Sequence, residues 1–162
     1  MTSPPRTYTV DVIAGDGIGL EVVPAAIRCV DAAASRFGFT INWRHREWGS
    51  GYYMEHGVMM PADALDQLRS GDAILLGAVG HPDISDVVTL WGLLIPIRRG
   101  FQQYVNLRPA VTLPGVSGVG ALDVVVVREN VEGEYSEVGG RFGQGTDDEM
   151  AIQESIFTRR GI

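Results

Sequence analysis

The sequence contains no lysine, and its 13 basic residues are all arginine. Positive charge is therefore carried by guanidinium alone, and any step that needs a lysine amine has no group here to perform it. There is one cysteine, Cys29, so no internal disulfide can form. It falls on an expected amphipathic helix among Ala26, Ile27 and Val30 and reads as a buried apolar filler. No apolar run approaches the roughly 20 residues of a membrane span, and the opening MTSPPRTY has no apolar stretch of signal-peptide length, which points to the cytoplasm. The three histidines are scattered: His45 reads as a surface strand residue, and His56 has no Cys or His at metal-ligand spacing. A net charge of -7 argues against nucleic acid or an anionic membrane as a partner.

What is present is a chain of 162 residues, 45% hydrophobic and 20% charged, with mean hydropathy of +0.07. That is enough for a core. After a Pro-rich lead-in over residues 1–6, Tyr8–Ala14 reads as a buried strand. GDGIG then opens a helix with Val22, Val23, Ala26, Ile27, Val30 and Ala33 on its apolar face, and Pro24 fits only in an early turn. Thr40–Trp48 alternates as a second strand, Gly49–Met60 reads as a loop, Pro61–Arg69 as a short helix, and Asp72–Val79 as a buried strand leaving through GAVGHP. Val87–Phe101 is expected to be a helix disturbed by Pro96. Alternation of strand and helix predicts a doubly wound α/β sheet.

Beyond Tyr104 the character changes. Val105–Thr112 and Leu122–Arg128 are short strands joined by a glycine-rich link over 114–120; Gly133–Gly145 is dense in glycine, and Met150–Ile156 is a further expected strand. Thr158 is a good helix N-cap with little chain after it, the mark expected of truncation. The turn Gly15, Gly17, Gly19 invites a dinucleotide-binding reading, but Leu20 stands where the third glycine of that fingerprint belongs, and no acidic residue ends a second strand about 20 residues on.

Arg98, Arg108 and Arg128 lie on three successive expected elements, with Tyr135 one short loop beyond. Guanidinium forks onto a carboxylate with two parallel hydrogen bonds, so several converging on one spot suit a substrate with more than one carboxylate, and a phenol beside them can donate a proton. The plainer alternatives are that Arg128 pairs with Glu129 or Glu132, and that Arg98 and Arg99 form a solvated helix face. Glu134 on a strand would point opposite Tyr135, which favours a structural or solvent role for it. Asp147, Asp148 and Glu149 form the only tight acidic run and read as a solvated tip rather than a metal site.

R-x9-R, then strand-R-E-N, then G-E-Y, resembles the metal-dependent β-decarboxylating dehydrogenases acting on isocitrate, 3-isopropylmalate, tartrate and D-malate. LWGLLIPIRRGFQQYVNLRPA, VVVVRENVEGEYSEVGG and QESIFTRRGI are most similar to the tartrate and D-malate branch. The resemblance runs from about Val10 to Ile162 and leaves uncovered the second half of a family member. It implies an α/β fold of the isocitrate/isopropylmalate dehydrogenase type, truncated. Residues 1–102 would belong to the first α/β domain, and 103–162 would begin a second, strand-rich one with a dimerisation arm near 135–157.

By the same resemblance Arg98, Arg108 and Arg128 bind substrate carboxylates and Tyr135 is the general acid. Gly92, Leu93 and Leu94 would line the wall facing the far end of the substrate, and Ile18 would touch NAD. Mg2+ or Mn2+ is implied, but the metal-binding aspartates, the general-base lysine and the adenine-binding loop have no counterparts among these residues. The function implied is oxidative decarboxylation of a small 2-hydroxy dicarboxylic acid, tartrate or D-malate, in a homodimer built through the arm. Alternatives are a 3-isopropylmalate dehydrogenase, a non-catalytic dimerising fragment, and a small-anion-binding module without redox chemistry.

Overall fold

The structure is a computed structural model that describes residues 6–116 and 120–162. Most of the lead-in and the middle of the glycine-rich link, 117–119, lie outside the described residues. The chain divides into two compact units, Met1–Ile97 and Arg98–Ile162.

In the first unit, β1 (Thr7–Gly15), β2 (Thr40–His45) and β3 (Ala73–Ala78) form a parallel sheet in the order β2-β1-β3. The central strand is the apolar run expected to be buried, and Val12 and Ile13 are fully enclosed. Beside them Asp11 is fully buried too, held at 2.5 Å by Arg44 Nη2 and 2.9 Å by Arg46 Nε from the neighbouring strand. A charge taken out of water has to be matched in this way.

The glycine turn is built for close packing. Gly15 takes φ +73, and a Cβ there would lie 2.0 Å from the Ala78 carbonyl oxygen; a Cβ on Gly19 would lie equally close to Ala14 O. Asp16 between them is buried and accepts from Ser50 N (2.8 Å), Ser50 Oγ (2.7 Å) and Gly80 N (2.8 Å), tying the ends of β1 and β3 to the segment after β2.

From the turn runs α1 (Gly19–Phe37), closed by Gly38 in the left-handed conformation. Its buried positions are Gly19, Val23 and Ala34, whereas Val22 and Cys29 are exposed. The reading of Cys29 as a core filler is corrected: the packed stripe of α1 is narrower than the apolar pattern suggested, and Cys29 falls beside it. Pro24, at the sixth helical position, lies past the first turn, so the Leu20 carbonyl forgoes its amide partner.

Two further expectations change. Gly49–Met60 is not all loop, because Ser50–His56 forms α2, begun at the residue that Asp16 caps and ended by left-handed Gly57. After α3 (Ala64–Leu68), the expected helix over Val87–Phe101 is three pieces: α4 (Asp86–Thr89), a π-helical turn (Leu90–Leu94) and α5 (Ile95–Gly100). Pro96 has no N–H to donate and its ring crowds the carbonyl four residues back; a widened turn just before it relieves both.

In the second unit, β4 (Val105–Val111) and β5 (Asp123–Glu129) form an antiparallel ribbon, and β6 (Gly139–Phe142) pairs with β7 (Met150–Gln153) in a short hairpin. Tyr135 and Glu134 lie in a turn before this hairpin rather than on a strand, so the argument from strand alternation does not apply to Glu134. The acidic run sits at the hairpin tip, where Glu149 accepts from Arg141 and Gly145. Thr158 caps a turn rather than a helix: its Oγ1 accepts from Gly161 N, and its carbonyl from Ile162 N. Among the described residues no helix is long and apolar enough to cross a membrane.

Candidate functional site

The platform of the site is the β4–β5 ribbon. Antiparallel register sets Asn106 opposite Arg128 and Arg108 opposite Val126. Residues two apart on a strand share a face, as do residues directly opposite each other, so Asn106, Arg108 and Arg128 project from the same side of the ribbon. Arg108 Nε donates to Asn106 Oδ1 at 3.3 Å, in keeping with that placement. Arg108 and Arg128 are diagonal neighbours, a separation of about 7–8 Å between backbones that one small dicarboxylate can bridge.

Tyr135 meets this face. Its phenol oxygen accepts a hydrogen bond from Arg128 Nη2, and the Arg128 guanidinium also lies 5.7 Å from the centre of the Tyr135 ring. The Tyr135 backbone is held as well: Arg99 Nη2 donates to its carbonyl, while Arg99 Nη1 pairs with Glu137 at 2.9 Å. One tyrosine is thus gripped by two arginines, at the ring and at the main chain.

The turn between β5 and Tyr135 has its own fastening. Glu129 Oε1 accepts from the backbone N–H groups of Asn130 (2.8 Å), Val131 (2.7 Å) and Glu132 (2.9 Å). These amide bonds, Val131 first, stabilise the ionised form and hold the Glu129 carboxyl below its ordinary value against a smaller desolvation effect. Asn130 donates to Gln103 O at 2.9 Å and accepts from Asn106 Nδ2 at 3.2 Å, which links the turn back to the arginine face. Glu132 is engaged elsewhere, accepting from Thr158 N and Thr158 Oγ1. Neither acidic neighbour is the partner of Arg128; the phenol is.

The structure therefore brings together Arg108, Arg128 and Tyr135. Arg98, on α5, is half-buried, and among the described residues no hydrogen bond ties its side chain to this network. Gly92 and Leu94 lie on the π-helical turn of the first unit: Gly92 gives its missing Cβ to Met59, whose Cγ would sit 2.7 Å away, and Leu94 is half-buried. Leu93, expected on the same wall, is fully buried in the core. Ile18 is exposed at the start of α1, beside the glycine turn.

Sequence reasoning missed Arg99, Glu129 and the Asn106–Asn130 pair. The Arg-Arg dipeptide and the Arg-Glu-Asn run mark their positions, but only the fold shows which arginine of the first pair reaches Tyr135. It also missed that His45, His56 and His81 line one open cleft at the C-terminal ends of β1 and β2, where His56 stacks on Tyr52 with ring centres 4.0 Å apart. Among the described residues no group of three His, Cys, Asp or Glu could hold a metal ion.

Comparison with known proteins agrees with this architecture. The chain is 52% identical over 165 residues to the decarboxylating D-malate dehydrogenase of Escherichia coli (strain K12), covering 97% of this chain and 46% of that protein. It is 50% identical over 167 residues to a tartrate dehydrogenase/decarboxylase of Pseudomonas putida, covering 98% and 46%. It spans about half the length of these curated relatives. Among solved structures, isocitrate dehydrogenase from Methylococcus capsulatus superposes with a TM-score of 0.78 at 26% identity over 95% of this chain and 44% of that one. A β-decarboxylating dehydrogenase from Thermococcus kodakarensis gives 0.66 at 30% identity, over 95% and 42%. Residues 9–162 match the isocitrate/isopropylmalate dehydrogenase family, and with the parallel sheet, the arginine ribbon and its tyrosine in place, the chain belongs to that family.

Proposed function

We propose that this chain carries the carboxylate-binding and proton-donating part of an NAD-dependent dehydrogenase that oxidises and decarboxylates a small 2-hydroxy dicarboxylate, D-malate or tartrate. The observation that carries this reading is the contact of Arg128 with Tyr135 on a ribbon face that also presents Arg108. Relatives about half identical over almost the whole chain are named for that chemistry.

In this reading Arg108 and Arg128, with Arg98, fork onto the substrate carboxylates and fix its orientation. Once carbon dioxide has left, Tyr135 donates its phenolic proton to the carbon that lost it. Gly92 and Leu94 bring neither charge nor hydroxyl to the wall facing the far end of the substrate, which disfavours a third carboxylate. NAD, when bound, accepts the hydride from the hydroxyl-bearing carbon, and exposed Ile18 is the residue here that would touch it. The described residues do not fit an Mg2+ or Mn2+ site, so no step is derived through a metal. The hairpin β6–β7 would serve as a dimer arm, and the enzyme would work in the cytoplasm.

The test is twofold. The purified 162-residue chain should reduce no NAD with D-malate, tartrate or 3-isopropylmalate in the presence of manganese; turnover clearly above a no-protein blank overturns that expectation. Joined after Ile162 to the remaining segment of the Escherichia coli D-malate dehydrogenase, it should use D-malate or tartrate in preference to isocitrate. A higher kcat/KM for isocitrate would mean that the pocket wall is misread. Because the described residues offer no metal-ligand cluster, a small-anion-binding module is the second reading; it predicts D-malate binding by the chain and no turnover by the joined enzyme.

A further inference from the structure

We infer that Tyr135 acts as a placeholder on Arg128 in the unliganded protein, so that a substrate carboxylate must displace the phenol and, in doing so, releases the proton donor. The inference rests on the carboxylate-binding reading above and adds an order of events to it.

A guanidinium engages a carboxylate best with two parallel N–H groups. One such edge of Arg128 is already committed, because Nη2 donates to the Tyr135 phenol oxygen and the guanidinium carbon lies 5.7 Å from the ring centre. A carboxylate that takes this edge therefore requires the ring to move aside. The surroundings suit such an exchange. Arg99 anchors the Tyr135 main-chain carbonyl and is itself steadied by Glu137, so the backbone stays in place while the ring swings about its side-chain torsions. The start of the turn is pinned independently by the three amide bonds to Glu129. Once Arg128 has turned to the carboxylate, the phenol has lost its charged donor but keeps its own O–H, free to hydrogen-bond to the substrate. Occupancy of the carboxylate site and availability of the acid are coupled through one guanidinium.

Competition for Arg128 makes a prediction opposite to that of a simple binding residue. If Tyr135 merely held substrate, Tyr135→Phe would weaken binding. As a placeholder that blocks Arg128, its removal strengthens binding. The experiment titrates D-malate into the 162-residue chain, the Tyr135→Phe and Arg128→Gln variants and the double variant, following the ligand's own NMR signals, which tolerate weak affinity and micromolar protein. A charge-assisted hydrogen bond that no longer has to be broken should lower the Kd of Tyr135→Phe by about threefold or more. In the Arg128→Gln background the same substitution should change the Kd by less than about 1.5-fold, since the guanidinium for which phenol and carboxylate compete is gone. An unchanged or weaker affinity in Tyr135→Phe, or an equal gain with and without Arg128, overturns the inference while leaving the carboxylate reading intact. Absence of D-malate binding by all four proteins overturns that reading and this inference with it.

Discussion

Two strands with apolar runs, β1 and β5, have opposite fates in this molecule. In the middle of β1 the apolar residues are enclosed: Val12 is buried and Ile13 has no accessible surface, with β2 and β3 paired on either side of the strand. In β5 and its partner β4 they stay in water, with Val127 67% and Leu107 63% exposed. Both have an apolar run, but only one has cover. An apolar strand states a need for burial and cannot itself supply the second layer that meets it. A two-stranded ribbon is marginal in water on its own, and here its face opposite Arg108 and Arg128 carries Leu107, Val111, Val125 and Val127 uncovered. The chain covers 46% of the length of the D-malate dehydrogenase it matches, and strands with apolar residues on both sides fit a protein in which further layers lie over them.

The contrast can be broken most forcefully at its buried end. Asp11→Ala leaves Arg44 and Arg46 without their shared carboxylate and should cost about 3–5 kcal/mol of first-unit stability. Ile13→Ala should cost about 2–5 kcal/mol through lost burial and the cavity left behind. Both are read by urea denaturation followed by tryptophan fluorescence, which reports on the first unit because Trp43, Trp48 and Trp91 all lie within it. A loss below about 1 kcal/mol for either would show that the first unit is not packed as described.

At the exposed end the expected sign is reversed. The chain by itself should bind a hydrophobic dye and associate, and Leu107→Thr with Val127→Thr should reduce both while moving the tryptophan-detected midpoint little, by less than about 0.5 kcal/mol. Undiminished dye binding would place the sticky surface elsewhere. A monodisperse chain with a sharp melt and no dye binding would remove the contrast altogether.

The smallest expected effect is the acid response of the turn that carries the chain from β5 to Tyr135. The Glu129 carboxyl is held below its ordinary value by backbone amides, so its contribution is fully present above the unfolded value of about 4.3 and is lost as pH falls through the lower folded value. Amide exchange at Asn130, Val131 and Glu132, compared with other ribbon amides, should quicken specifically as pH falls through that lowered value. Glu129→Gln should remove that acid-dependent step; its persistence in the variant would assign the response to another group.

Much of this was legible in the chain itself. The strands over Tyr8–Ala14, Asp72–Val79, Val105–Thr112 and Leu122–Arg128 occur within a residue or two of the expected ends, because β-branched runs bounded by glycine and charge leave few alternatives. Short-range competition was harder to read. Asp16, two residues into a glycine turn, caps the helix begun at Ser50, which lies far along the chain, so the stretch after β2 looked like loop. Pro96 announced a disturbance but left a kink, a break and a π-helical turn all open; the structure takes the last, with Gly92 of that turn close against Met59. Cys29 looked internal because periodicity defines a face of a helix, while the neighbours that bury only part of that face are set by the sheet.

Sequence by itself determined the residue chemistry: guanidiniums at 98, 108 and 128, a phenol at 135, no lysine, and apolar strands that require cover. Those follow from side-chain identity and local period, which are properties of a few neighbouring residues. Tertiary structure alone decided that Arg128 spends its donor on the phenol rather than on Glu129 or Glu132, and that Arg99 rather than Arg98 holds the Tyr135 backbone. Each of these is a choice among partners close together in sequence and chemically alike. It is settled by which of them the register of two strands and the path of a turn bring within hydrogen-bonding reach, a matter of three-dimensional geometry that spacing along the chain does not encode.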